Sequence, residues 1–117
     1  MAATLSGRER LSGKTAIAAL MDRGRWSHTL HLRCCCLPSN GLEFNRIMVS
    51  VPKRHFKRAV KRNLLKRRMR EAYRQHKELT GPGGRDILFV YNSPEIAPYD
   101  VICDELCSLL SKMADAQ

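Results

Sequence analysis

The apolar positions of this chain keep helical spacing in three stretches and strand spacing in three others. Ala16, Ile17, Leu20 and Met21 make one side of a short helix, with Ser12 as its expected N-cap and Gly24 as its end, near Arg23. Thr29–Leu37 alternates instead. Leu30, Leu32, Cys34 and Cys36 fall on one face, and His31, Arg33 and Cys35 on the other. Pro38-Ser39-Asn40-Gly41 is a turn signal, and Phe44–Val51 returns with Ile47, Val49 and Val51 on one face. These two stretches are expected to form an antiparallel hairpin. From about Phe56 to Glu78 the period is helical again. Leu65, Met69, Ala72, Tyr73 and His76 share one stripe, while Val60 and Leu64 lie off it. Thr80-Gly81-Pro82-Gly83-Gly84 stops that helix. Asp86–Tyr91 holds the run Ile87-Leu88-Phe89-Val90, which predicts a strand buried on both faces. Pro98 suits the first turn of a last helix, along which Ile102, Leu106, Leu109, Leu110 and Met113 recur. The order is helix, two or three strands, helix, strand, helix. It predicts an α+β domain in which one sheet carries the packed helices.

Length fits one domain. A chain of 117 residues buries roughly two-thirds of its unfolded surface, enough for a core. Residues 1–9 read as a flexible lead-in. No apolar run is long enough to span a membrane, and no secretory signal is visible. Five cysteines, an odd number without framework spacing, suggest a reducing cytoplasm.

Charge changes the picture. Lys53–Arg74 holds eleven of the twenty-one lysines and arginines and one acid, Glu71, so its net charge equals the +10 of the whole chain. The rest is neutral. Arg62, Asn63, Lys66, Arg67, Arg70 and Arg74 flank the apolar stripe of the predicted helix. Arg58/Arg62, Arg62/Lys66, Lys66/Arg70 and Arg70/Arg74 are like-charge pairs four apart, each opposing the helix by roughly 0.2–0.5 kcal/mol. Lys57, Arg58, Lys61 and Arg62 sit at its N-terminus, where the macrodipole already disfavours cations. A face selected for stability would alternate signs. A bound polyanion relieves both costs, and the planar fork of Arg suits phosphate. Nucleic acid is the expected partner.

The same stretch resembles a known family. Ala59-Val60-Lys61-Arg62-Asn63-Leu64-Leu65-Lys66-Arg67-Arg68-Met69-Arg70-Glu71-Ala72-Tyr73 is similar to the basic helix of the bacterial ribonuclease P protein subunit, roughly A-V-x-R-N-x-x-K-R-x-x-R-x-A-[FY]. Ser50-Val51-Pro52-Lys53-Arg54 resembles the strand end that precedes it, S-V-x-K-[KR]. Leu64 departs from the pattern, which usually has Arg there. The resemblance implies an α-β-β-β-α-β-α order with about four strands in a mixed sheet, like domain 2 of ribosomal protein S5. Its short extra strand would be Arg25–Ser27. It also implies that Lys53, Arg54, Arg58, Lys61, Arg62, Asn63, Lys66, Arg67 and Arg70 meet RNA. A cleft between the first helix and the sheet would hold the 5′ leader of precursor tRNA. Family members commonly have aromatic residues at the positions of Ile17 and Met21, which would line that cleft here. By strand alternation His31, Arg33 and Cys35 would form its opposite wall. In this family the catalytic RNA holds the active site and its Mg2+, so the protein would act as a non-catalytic subunit, one copy per RNA.

A protein active site is not expected. Gly13-Lys14-Thr15 lacks the upstream glycine in register for a P-loop. Cys34-Cys35-Cys36 are adjacent and lack zinc spacing, so they read as small apolar fillers. Cys103 and Cys107 share a helix face, yet no second pair accompanies them, so no metal or cofactor is expected on the protein alone. The acids are scattered, which disfavours a metal-dependent nuclease. The alternative reading is a ribosomal-type RNA-binding protein without enzymatic role. A membrane-surface helix would expose bulky apolar residues, whereas this stripe is needed for the core.

Overall fold

The computed structural model describes residues 7–115. It has three α-helices, α1 (Lys14–Arg23), α2 (Ala59–His76) and α3 (Tyr99–Asp115), and four strands, β1 (Arg25–His28), β2 (Leu32–Pro38), β3 (Arg46–Ser50) and β4 (Arg85–Tyr91). The fold is α+β, with one mixed sheet in the order β1-β2-β4-β3. β1 pairs β2 and β2 pairs β4 antiparallel, while β3 pairs β4 in parallel.

The expected hairpin between the second and third strands does not form. β4 lies between them. Its apolar residues point to both faces and nearly all are buried, so a central place gives it two ladder partners and cover on each side. The Pro38–Gly41 turn instead clips the chain over the start of β4. Asn40 Nδ2 donates to Phe44 O and to Asp86 Oδ1, and Asn45 Oδ1 accepts from Arg85 N at 2.9 Å. Gly84 is needed for this closeness, because a Cβ there would meet Asn40 Oδ1 at 2.2 Å. Arg46 closes the clip by donating to both oxygens of Asp86.

Helix ends also move. Gly13, at φ 95°, caps α1 in place of Ser12, and no side chain bonds to the cap. α2 starts at Ala59, because Phe56 is buried in the preceding loop with its ring 6.0 Å from that of Tyr91. The last turn is 3-10, Lys77–Thr80, and ends at Gly81 with φ 77°. Residues 1–6 of the expected lead-in lie outside the described residues. Gly7–Glu9 forms one 3-10 turn, and Glu9 accepts from Lys77 Nζ at 2.8 Å.

α2 and α3 cover one face of the sheet and α1 the other. The first face forms the main core, with Leu65, Met69, Ala72 and Tyr73 of α2 against Ile87 and Phe89 of β4. The stripe read from the sequence is the buried one, except that His76 is only half-buried. At this core's edge Arg85 is 1% exposed, and its Nη1 and Nη2 have no hydrogen-bond partner among the described residues. A buried unpaired charge weighs against the fold.

Candidate nucleic-acid interface

The burial of one α2 stripe fixes where its bases go. Arg58, Lys61, Arg67 and Arg70 are exposed and Lys66 half-exposed. Their side chains make no ion pair or hydrogen bond among the described residues. Lys53 is equally exposed and unpaired. Asn63 is exposed, and its amide has no partner among the described residues either. Arg58 is the N-cap of α2, in extended geometry and without a side-chain cap, so the first N–H groups of the helix lie among these cations.

Three bases turn inward instead. Arg62 Nη1 donates to Phe56 O at 2.7 Å and Lys57 O at 2.8 Å, bracing the loop that presents Arg58. Arg68 Nη1 donates to Ala97 O at 2.6 Å and ties α2 to the turn before α3. Arg74 pairs with Glu71. The Arg74 hydrogen bond holds the Glu71 carboxyl below its ordinary range. Arg54 makes long contacts to His55 and Asn92 at the loop.

The second candidate surface is the α1 face. Leu20 is buried against Cys35 and Leu88, and Ile17 packs half-buried beside them. Met21 is 51% exposed. Arg33 points out on this face, with its guanidinium 4.5 Å from the Trp26 ring centre. Trp26 was missed from the sequence. It is opposite Cys35 in the β1–β2 register, which puts it on the same face, and it is 41% exposed. Knowing that register would have found it. Cys35 is present but fully buried under α1, where its thiol donates to Leu20 O at 3.4 Å. It is floor, not wall. Gly24 permits this approach, since a Cβ there would meet Cys35 Sγ at 2.4 Å.

His31 is not in this cleft. It precedes β2, in a turn where Thr29 N donates to Leu32 O, so strand alternation does not reach it. Its ring lies on the α3 side, with Nδ1 2.5 Å from Glu105 Oε2 and the ring stacked on Tyr91. Glu105 Oε1 also accepts from His31 N at 2.8 Å and Thr29 Oγ1 at 2.5 Å. Burial pushes the Glu105 carboxyl up, and these hydrogen bonds outweigh it, so the group sits below the usual carboxylate range. Leu30, placed on the core face by alternation, is 84% exposed for the same reason.

Among the cysteines, burial raises the Cys34 thiol far above its ordinary value and takes Cys36 to about 11. Both are inert fillers of the main core. Cys103 and Cys107 have a third companion that the sequence did not reveal, His76 from the end of α2.

The Ribonuclease P family model matches residues 5–114. The chain belongs to the Ribonuclease P family. The Ribonuclease P protein component of Nitrosococcus oceani is 45% identical over 58 residues, a match covering 50% of this chain and 46% of the relative. That of Syntrophus aciditrophicus is 29% identical over 109 residues, covering 93% and 90%. The chain is thus aligned to under half of the first relative and nearly all of the second. In three dimensions it is similar to the RNase P protein from Thermotoga maritima, with a TM-score of 0.78 at 23% identity, covering 90% of this chain and 97% of that one. The Staphylococcus aureus RNase P protein gives 0.65 at 18% identity, covering 92% and 90%. These two likenesses concern the fold. Of the motif by which the sequence resembles this family, Lys66, Arg67 and Arg70 are the bases without a side-chain partner among the described residues, while Arg62 is hydrogen-bonded. No helix among the described residues is long and apolar enough to cross a membrane.

Proposed function

We propose that the chain is the non-catalytic protein subunit of a ribonuclease P ribonucleoprotein, which assists endonucleolytic removal of the 5′ leader in tRNA maturation. The observation that carries this reading is the α2 flank. Lys61, Asn63, Lys66, Arg67 and Arg70 stand without side-chain partners among the described residues, on a helix whose other face is locked in the core. Charges left unpaired at i,i+4 spacing favour an external polyanion. This flank, with Lys53, Arg54 and Arg58, docks on the catalytic RNA. Arg62 acts mainly by holding the loop that presents them.

The α1 face takes the leader. Trp26 offers a ring for stacking on single-stranded bases, Arg33 adds a cation over it, and Met21 and Ile17 give apolar contact. The cleft thereby regains the π surface that its α1 positions lack. Mg2+ is held mainly by the RNA, the complex is one protein to one RNA, and the setting is the cytoplasm.

The test mixes the chain with a bacterial ribonuclease P RNA and a precursor tRNA at low magnesium. Leader removal enhanced only when the RNA is present is the expected result. Cleavage by the protein alone, or RNA binding without any enhancement, returns the reading to a nuclease or to a ribosomal-type RNA-binding protein respectively.

A further inference from the structure

The end of α2 lies against α3, and there His76, Cys103 and Cys107 bring one ligand atom each within 4.8 Å of one another. All three are half-buried. Cys103 and Cys107 are four apart in α3, so one helical turn stacks their thiols on a single face. His76 reaches them from the other helix. The donors therefore come from two elements that the main core already fixes, through Tyr73 on α2 and Ile102 and Leu106 on α3.

Two sulfurs and an imidazole nitrogen choose their ion. Mg2+ and Ca2+ take oxygen ligands, whereas thiolate with imidazole suits Zn2+. Zn–S bonds of about 2.3 Å and Zn–N bonds of about 2.0 Å set tetrahedral donors roughly 3.5–3.8 Å apart. The observed donors lie within 4.8 Å of one another, so closing on the ion asks for a shift of roughly 1 Å.

We infer that His76, Cys103 and Cys107 bind one Zn2+ and so pin the C-terminal end of the basic helix to α3. Each thiol gives up its proton to solvent on binding, and the two thiolates offset the charge of the ion. Nothing is oxidised or reduced. Water takes the fourth position, as is usual where the protein supplies three ligands. The site lies at the opposite end of α2 from Arg58, so its role is to hold the helix and not to touch RNA.

The experiment uses the 117-residue chain, reduced and stripped by a chelator. It is titrated with Zn2+ against a chromophoric competitor, and with Co2+ read by its thiolate absorption bands. One equivalent per chain and thiolate bands are expected. Zn2+ should also slow alkylation of Cys103 and Cys107, mapped by mass spectrometry, and leave Cys36 unchanged. Cys103→Ser, Cys107→Ser and His76→Gln should each weaken Zn2+ binding by at least about tenfold, since loss of an outer-shell partner alone costs that much. Cys36→Ser should bind as before. Equal affinity in all three ligand variants overturns the proposal. So does an unchanged alkylation rate of Cys103 and Cys107 in the unsubstituted chain, a readout that stands even if a variant fails to fold.

Discussion

Among the described residues, the face of the sheet under α2 and α3 gathers nineteen buried side chains into one cluster, whereas the cluster under α1 has four. The large face is closed by two long helices, and at its rim Glu105 takes three hydrogen bonds from Thr29 and His31. The small face is covered by ten residues of helix and leaves Met21, Trp26 and Arg33 in solvent. Apolar area removed from water is what stabilises a domain of this size. One face therefore holds most of the buried apolar side chains, and the other keeps a ring and a cation exposed. The same division runs along α2. Its buried stripe anchors the helix, and Lys61, Lys66, Arg67 and Arg70 beside it have no side-chain partner among the described residues.

The strongest way to break this comparison is truncation in the main core. Phe89 is fully buried and tilted against Tyr73, so Phe89→Ala should cost about 3–5 kcal/mol in urea denaturation. Ile17→Ala, on the half-covered face, should cost roughly 1–2 kcal/mol. Equal losses would mean that α1 closes a core as important as the other.

Next comes the polar rim. Glu105→Gln should remove roughly 2 kcal/mol at neutral pH, because it weakens hydrogen bonds to a charged acceptor. The folded carboxyl lies below its unfolded value of about 4.3, so this stability is present above that pH and disappears as pH falls through the folded value. Denaturation of both proteins along a pH series should show the gap closing in acid. A gap of the same size at pH 3 and pH 7 would remove Glu105's charge from the account.

On the small face, Trp26→Ala should weaken binding of precursor tRNA by about 1–3 kcal/mol, the worth of one stacked base, and leave mature tRNA unaffected. Met21→Ala and Arg33→Ala should act in the same direction and less. Loss of fold instead of leader affinity in Trp26→Ala would show that this face, too, is core.

The smallest effects per residue belong to the α2 flank. Lys66→Ala, Arg67→Ala and Arg70→Ala should each flatten the salt dependence of RNA binding by about one unit of log–log slope, without loss of stability. Arg62→Ala should differ by also lowering stability, since it frees the carbonyls of Phe56 and Lys57. Unchanged slopes in all variants would make the flank a solvated surface.

The sequence by itself determined what local spacing and composition encode. The 3.6 period of Leu65, Met69, Ala72 and Tyr73 marked the buried stripe, because any helix with that pattern must cover it. The continuous run of β4 marked a strand covered on both sides, and the charge count located the basic flank. The R-N-x-x-K-R-x-x-R pattern was legible as a family signal for the same reason: it is local. Strand order was not, since a turn signal at Pro38–Gly41 fits a hairpin as well as the clip over β4 that forms. Nor was the side of His31, which depends on where β2 begins, or that of Trp26, which depends on pairing with Cys35. The company of Cys103 and Cys107 is the clearest case. Their shared helix face could be read from a spacing of four, but His76 lies twenty-seven positions before Cys103 in the chain. Only the packing of α2 on α3 brings them together, because the donors of a site are selected by distance in space and periodicity acts only within one element.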